Sequence, residues 1–154
     1  MSKELDEIDK KILNQLLADA KVPNYRELGK TLGLAPQTTH NRLKRLTSSG
    51  IIQGFVPRLD LKKLHYAVTA IIQVSAEKGQ IDPLAAKYLH HKNVLAMYDV
   101  LGPYDMMLIT KFHTLEELDR FIKEFQAKNP EVRNTNTISV LNVQKEGMVP
   151  EAVE

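Results

Sequence analysis

Apolar residues recur at every third or fourth position through the first third of the chain, a spacing typical of amphipathic helices. The pattern predicts a helix over residues 6–19, a second helix over 25–32, and a third that begins at Pro36 and ends before Gly50. Proline suits the first position of a helix because its missing N–H needs no partner there. Gly33, which can adopt positive φ, ends the second helix and leaves only a short turn before the third.

The third helix combines a narrow apolar stripe with a wide polar and basic face. Thr39, Leu43 and Leu46 are spaced by four and three residues, so they lie on one side of it. Two short helices joined by a tight turn, the second with a polar outer face, predict a helix-turn-helix motif. Three carboxylates in the first turn of the first helix favour the positive end of its dipole, which explains them better than a catalytic role: Asp6, Glu7 and Asp9.

Beyond residue 66 the apolar pattern alternates between strands and helices. Period-two alternation and short apolar runs predict strands, whereas helical spacing and the capping box Thr114 with Glu117 predict helices. The predicted elements are strands over 68–74, 94–101, 106–112 and 135–145, a helix over 81–89 after the first strand, and a helix after Thr114. The order β-α-β-β-α-β is the ferredoxin-like arrangement, so the predicted fold class is α+β.

Four segments follow from these elements. They are a helix-turn-helix domain (winged-helix-like) over residues 1–50, a linker with a short strand or β-hairpin and a turn over 51–66, a ferredoxin-like domain over 67–146 and a tail over 147–154. The two helices of the second domain should cover one face of its sheet. The other face is also largely apolar and needs a cover, for which a second copy of the chain is the obvious candidate.

The charge of the 154-residue chain is unevenly distributed, although the formal net charge is only +2. Residues 1–66 hold twelve Lys and Arg against seven Asp and Glu, a net of +5, and residues 67–154 hold nine against twelve, a net of −3. A basic module favours a polyanion, because neutralising phosphates releases counterions. The asymmetry therefore indicates two modules with different partners.

Composition excludes several kinds of site. The chain has no cysteine, which excludes disulfides, zinc ribbons, iron–sulfur clusters and thiol nucleophiles. The five histidines form no metal-binding pair, and no catalytic triad or phosphate-binding loop is visible, so we expect no metal, no cofactor and no catalytic residue. With no apolar run long enough to span a bilayer and a charged N-terminus, we expect a cytoplasmic protein without a membrane partner.

Five stretches resemble the Lrp/AsnC family of regulators in order and spacing. They are LDEIDKKILNQLLADAK (5–21), RELGKTLGLAPQTTHNRLKRL (26–46), SGIIQGFVPRLDLKKL (49–64), LGPYDMMLITK (101–111) and NTNTISVLNVQKE (134–146). The resemblance covers the chain essentially from end to end. It implies a helix-turn-helix domain that binds double-stranded DNA, and a ferredoxin-like domain that senses small molecules such as amino acids. It also implies assembly into homodimers and then tetramers or octamers.

The resemblance places the helix that begins at Pro36 in the DNA major groove. Gln37 and Asn41 lie four residues apart, hence on one face, and both amides can pair with adenine. Arg42 is expected to contact guanine or a phosphate, and the basic residues farther along the helix to contact phosphates. The predicted DNA-binding set is Gln37, Thr38, His40, Asn41, Arg42, Lys44 and Arg45.

Ala35 departs from the family, which usually has a serine just before this proline. A serine would cap the helix and alanine cannot, a loss of about 0.5–2 kcal/mol of local stability.

The segment after the second strand resembles the Gly-x-Tyr/Phe-Asp loop that contributes to amino-acid effector sites in relatives. The expected effector residues are Gly102, Pro103, Tyr104 and Asp105 on the hairpin, with Thr135, Thr137 and Ser139 at alternate positions of the last strand. Asp105 would accept a hydrogen bond from an effector ammonium. The alternative is a tight turn in which Asp105 accepts from backbone amides. Many relatives have an acidic residue in place of Pro103, which argues against the usual effector.

The leading hypothesis is a sequence-specific, DNA-binding transcriptional regulator modulated by a small molecule such as an amino acid. One alternative is an architectural protein that compacts DNA with little sequence preference. Another is an enzyme similar to the siroheme decarboxylases, which resemble this family throughout. Those enzymes are expected to carry a His- and Arg-rich motif near the middle strands, where this chain has LAMYDVLGPYDMMLITK (95–111), with neither residue.

Overall fold

The computed structural model describes residues 5–19, 22–147, 150 and 152–154. The chain forms two compact units, one that runs to Leu59 and takes in the chain from Glu146 onward, and one over Asp60–Lys145. The predicted linker is therefore divided between the two units. Within the predicted tail, residues 148, 149 and 151 lie outside the described residues.

The end of the chain packs on the first helix through a reciprocal amide contact. The side-chain amide of Asn14 donates to the carbonyl oxygen of Val153 at 3.2 Å, and its Oδ1 accepts from the Val153 N–H at 2.6 Å. The residues from Glu146 onward belong to the helical unit, and these two hydrogen bonds connect Val153 to it.

Three helices build the first unit: α1 (Glu7–Asp19), α2 (Tyr25–Leu32) and α3 (Pro36–Ser48). Asn24 caps α2 by accepting from the Arg26 N–H at 3.0 Å, and Gly33 ends it with φ 67°. The buried core of the unit contains Ile12, Leu28, Leu46 and Ile52, with partly buried leucines and an isoleucine packed around them. The predicted helix-turn-helix elements are confirmed to within two residues.

The strand predicted within residues 51–66 is wrong. Residues 53–60, all of them described, form neither helix nor strand, and the chain then turns over 61–65 as expected. The Ile52 N–H donates to the Leu46 carbonyl at 3.0 Å, so the start of the segment closes α3 and its side chain joins the helical core. After it, Gly54 and Pro57 interrupt the apolar run, and no described strand of the chain lies alongside to accept its hydrogen bonds.

The second unit is a four-stranded antiparallel sheet with two helices. Its elements are β1 (Val68–Ala76), α4 (Ile81–Tyr88), β2 (Val94–Asp99), β3 (Met106–Phe112), α5 (Leu115–Lys128) and β4 (Val132–Val140). The strand order β2-β3-β1-β4 is that of the ferredoxin-like fold, as predicted. Thr114 caps α5 by accepting from the Glu117 N–H at 3.3 Å.

The last strand begins and ends earlier than the predicted 135–145. Val132 already pairs with Ala76 across a bulge, which extends β4 at its start. Val140 pairs with Thr69, and β1 begins at Val68, so residues beyond Val140 have no partner on β1 with which to continue the strand.

Helices α4 and α5 pack on one face of the sheet, and no described helix of this unit covers the other face. Ala70, Ile72 and Val74 on β1 are buried with the apolar sides of α4 and α5 in one core. On the opposite face, Ile71 lies between Ile109 and Ile138 in register, and Ile138 is exposed. No helix among the described residues is long and apolar enough to cross a membrane.

Candidate nucleic-acid interface and effector loop

The exposed face of α3 carries most of the predicted DNA-binding residues. The exposed ones are Gln37, Thr38, His40, Asn41 and Lys44. Thr39 and Leu46 are buried against the rest of the unit, so they fix which side of the helix faces out. The unit can thus present one side of α3 to a groove while its other side packs on α1 and α2.

Gln37 and Asn41 share a face, as their spacing predicts, and contact each other. The Gln37 Nε2 donates to the Asn41 Oδ1 at 3.0 Å. This contact orients both amides at the N-terminal half of α3, the part of a recognition helix that approaches base edges in helix-turn-helix proteins.

His40 lies at the seam between α2 and α3 and has a packing partner. Its ring meets Tyr25 edge-on, with ring centroids 5.4 Å apart, and the Arg26 guanidinium lies 6.0 Å from the centre of the Tyr25 ring. Tyr25 and Arg26 were not among the predicted site residues. The Asn24 cap places both in the first turn of α2, at the opposite end of that helix from the turn to α3, so their position beside His40 depends on how the two helices pack and has no local sequence signal.

Arg42 and Arg45 turn from the exposed face toward the start of α1. The Arg42 Nη1 lies 2.6 Å from Asp6 Oδ2 and 2.8 Å from Asp9 Oδ1, and the Arg45 Nη2 pairs with Asp9 Oδ2. The expectation that these two arginines contact DNA stays a prediction, to which the structure adds an ion-pair network inside the unit. Sequence analysis had assigned the two carboxylates to the helix dipole alone, because nothing local shows that residues more than thirty positions away will meet them.

The network lowers the pKa of Asp6 from 3.8 to about 2, first through the hydrogen bond from Arg42 and then through the N–H groups of α1. The same contacts raise the pKa of Arg42. Asp6 is also the cap of α1, since its Oδ1 accepts from the N–H groups of Ile8 and Asp9 at 3.0 and 2.9 Å. Asp6 therefore caps the N-terminus of α1, and Asp6 and Asp9 together form the ion pairs that connect α1 to α3.

Ala35 leaves α3 without a side-chain cap, as its sequence position predicts. The residue has extended backbone, with φ −62° and ψ 141°, and no side-chain hydrogen bond closes the helix start. The N–H groups of the first turn thus have no capping oxygen from this position.

We predict that Ala35→Ser raises the free energy of unfolding of the first unit by about 0.5–2 kcal/mol, because its hydroxyl can accept from the first-turn N–H groups. Urea unfolding followed by circular dichroism measures the change. The control is Ala127→Ser, at an exposed position in the last turn of α5, where a serine has no helix start to cap and is a weaker helix former than alanine. Equal effects of the two substitutions would contradict the capping argument.

The β2–β3 hairpin carries four of the predicted effector residues. Gly102 adopts φ 143°, a conformation that favours glycine. Asp105 is built into the sheet: its N–H donates to the Val74 carbonyl at 2.9 Å, and its Oδ2 accepts from the Ala76 N–H at 3.0 Å. The alternative in which Asp105 satisfies backbone amides is thus present in the structure.

Arg133 is a neighbour of this loop that sequence analysis missed. Its Nη2 lies 3.7 Å from the Asp105 Oδ2 and 3.3 Å from the Ser75 hydroxyl. The guanidinium and the carboxylate form an exposed pair of opposite charges beside the hairpin.

The three polar residues of β4 do not gather at the hairpin. Thr135, Thr137 and Ser139 lie opposite Val74, Ile72 and Ala70, on the side of the sheet covered by helices. Thr135 is at the hairpin end and accepts from the Gln126 Nε2 at 2.8 Å. Ser139 is four residues farther, about 13 Å at the usual rise of a strand. Of the three, Thr135 alone lies at the end of the strand that meets the loop.

A depression of about 320 Å³ lies between α4 and α5, away from the predicted effector residues. It is lined by Lys87, Tyr88, His91, Phe121, Glu124, Phe125, Lys128 and Asn129. Burial lowers the pKa of His91, and Lys87 is already paired with Glu131 at 2.7 Å. The charged group of Lys87 in this depression is thus already occupied by a contact within the unit.

Comparisons with known proteins agree with this division of the chain. The model for a winged helix-turn-helix DNA-binding domain matches residues 5–53, and the model for the Lrp/AsnC ligand binding domain matches residues 69–150. An uncharacterized HTH-type transcriptional regulator of Pyrococcus furiosus is 39% identical over 93% of this chain and 95% of its own length. The HTH-type transcriptional regulator FL11 of the same organism is 37% identical over 92% and 93%.

A solved structure is similar across the whole fold. It is the complex of a transcriptional regulator from Neisseria meningitidis with L-Met, at a TM-score of 0.86 and 25% identity, covering 96% of this chain and 97% of that one. A helix-turn-helix unit joined to a ligand-binding unit defines the class of DNA-binding transcriptional regulators. Within that class, the chain belongs to the Lrp/AsnC family.

Proposed function

We propose that this regulator binds specific DNA sequences through the exposed face of α3, acts as a homo-oligomer, and is modulated by an amino acid. The observation that carries the proposal is the exposed series of Gln37, Asn41 and Lys44 on the second helix of a helix-turn-helix. It combines two amides suited to base edges with one cation suited to phosphates.

Self-association is supported by the uncovered side of the sheet. Ile71, Ile109 and Ile138 form an apolar row there, and Ile138 is exposed. A second copy offers the same row, and a two-fold interface is the commonest way for identical chains to bury one. Tetramers or octamers built from such dimers are part of the proposal.

Modulation by an amino acid is supported by the ligand-binding domain match and by the similar regulator bound to L-Met. Asp105 and Arg133 offer opposite charges beside the hairpin, which suits the ammonium and carboxylate of an amino acid. Pro103 stands where many relatives have an acidic residue, so the preferred amino acid need not be that of the relatives.

Selection of bound duplexes from a random DNA pool, repeated with a panel of amino acids, tests the proposal. We expect enrichment of one sequence, with a spaced footprint, and a shift in affinity with at least one amino acid. Failure to enrich any sequence, together with uniform protection of long DNA, would instead support a compacting protein. Enrichment of a sequence that no amino acid alters would contradict modulation by an amino acid but would support sequence-specific DNA binding.

We predict that Lys44→Ala weakens all DNA sequences alike and lowers the slope of log affinity against log salt by about one, since one phosphate contact is worth about 0.9 of slope. Lys44 is exposed and has no ion-pair partner among the described residues, so its charge is available to DNA. Fluorescence anisotropy on the selected site and on a scrambled site measures both quantities. Lys78→Ala, exposed in the other unit, removes the same charge and should leave the slope unchanged.

A further inference from the structure

Four charged side chains form a continuous series of ion pairs where α1 meets α3, from Asp6 through Arg42 and Asp9 to Arg45. The Asp9 carboxylate accepts a hydrogen bond from Arg42 on one oxygen and from Arg45 on the other. Arg42 also donates to the carboxylate of Asp6. The Asp9 side chain is 0% exposed, whereas those of Arg42 and Arg45 are 22% and 38% exposed. Two acids thus balance two arginines, and the network as a whole is neutral.

The network stands beside the face of α3 that is exposed. Arg42 follows Asn41 in sequence, and Arg45 follows Lys44, so both arginines start from backbone that borders the exposed series. Arginine side chains are long enough to reach a phosphate from such a position once nothing else binds them. Among the lysine and arginine residues of α3, Lys44 is exposed, whereas Arg42 and Arg45 are partly buried and paired with acids.

We propose that Asp9 and Asp6 are positioning residues that keep Arg42 and Arg45 off the DNA phosphates, and so raise the preference of α3 for its own site over random DNA. Phosphate contacts carry no sequence information and strengthen binding to every duplex alike. Because Arg42 and Arg45 are paired with the buried carboxylate of Asp9, they add little to this sequence-independent binding. Discrimination then depends on the amides of Gln37 and Asn41.

The inference rests on the proposed DNA binding, and salt titrations of the full-length protein test it. Anisotropy is measured between about 50 and 200 mM salt on the selected site and on a scrambled duplex. Asp9→Asn frees one positive charge, so we expect the salt slope to steepen by about one. Affinity for the scrambled duplex should rise several-fold, and the ratio of the two affinities should fall.

A matched control separates the network from net charge. Glu7→Gln lies in the same turn of α1, changes the charge by the same amount, and its side chain is 81% exposed with Lys10 as its ion-pair partner at 3.0 Å. It should leave the slope and the affinity ratio unchanged. An equal steepening with Glu7→Gln would overturn the proposal, because general charge would then explain the result.

Asp6→Asn keeps the test decisive if Asp9→Asn fails to fold. Asparagine caps helices as well as aspartate does, so α1 keeps its start while Arg42 loses one charged partner. A smaller steepening in the same direction is expected. An unchanged slope in folded variants, with both affinities reduced together, would show that the acids only stabilise the unit. A wild-type protein that binds no DNA would instead fail the proposed function.

Discussion

Leu46→Ala is expected to destabilise the helix-turn-helix unit by about 2–5 kcal/mol, the range for large-to-small changes in a core, and to abolish DNA binding at ordinary temperature. Leu46 is completely buried in a core with Ile12, Leu28 and Ile52, and partly buried leucines and an isoleucine of the same unit pack around these four residues. Truncation to alanine leaves a cavity at this position, which the surrounding side chains fill only in part. Small domains have a total stability of about 5–15 kcal/mol, so a helical unit near the lower end of that range would be largely unfolded by this loss.

Urea unfolding followed by circular dichroism, with anisotropy on the selected DNA, measures the effect of Leu46→Ala. The signal of the helical unit should move to lower urea while that of the sheet unit stays in place, since the two have separate cores. Val22→Ala is the control: Val22 is largely exposed in the same unit, and its loss should cost less than about 0.5 kcal/mol. If Leu46→Ala moved the transition no more than Val22→Ala, the argument that a buried cavity destabilises the unit would be wrong.

Local signals predicted the helices and most of the strands. Asn24, Gly33 and Thr114 act at helix ends as their residue types predict, because capping depends on neighbours within three or four positions. The alternation in β1 likewise predicted which side faces the helices. The bounds of β4 were wrong because they depend on where β1 begins, and that is a property of the pairing rather than of the strand itself.

The sequence predicted which residues of α3 carry polar and basic groups, but it did not predict which other residues those groups contact. The spacing of Gln37 and Asn41 correctly placed them together, since both lie on one helix. The meeting of Arg42 with Asp6 and Asp9 could not be predicted, because it depends on how α1 packs against α3. For the same reason, the alternate polar residues of β4 shared a face as expected while only Thr135 lay at the hairpin end.

The absence of a strand over residues 53–60, after α3, also depends on contacts that are distant in sequence. An apolar, strand-like run becomes a strand only where another strand accepts its hydrogen bonds, and the described strands all pair within the sheet of the second unit. Ile52 was instead drawn into the helical core. Sequence patterns of this length cannot distinguish the two outcomes, because both bury the same side chain.

Gly29→Ala is expected to destabilise the same unit by about 1–3 kcal/mol, the usual cost of overpacking. A Cβ at this position would lie 2.8 Å from the Thr39 Oγ1 on α3 and 2.9 Å from the backbone oxygen of Leu34 in the turn between the helices. Neither atom can retreat easily. Thr39 is buried and donates to the Ala35 carbonyl at 3.2 Å, and the turn at Leu34 is closed by its N–H on the Gly29 carbonyl at 2.8 Å.

The sign of the Gly29→Ala effect is what makes it informative. Alanine is the better helix former by about 1 kcal/mol, so propensity alone predicts a more stable α2. Gly54→Ala, where an added Cβ meets nothing within 4 Å, is the matched control and should be neutral or stabilising. We expect Gly29→Ala to lower both the unfolding midpoint in urea and the DNA affinity, because α3 must shift against α2 to admit the methyl group. An unchanged midpoint would show that the turn yields freely, and that the close contact at Gly29 does not set the position of the recognition helix.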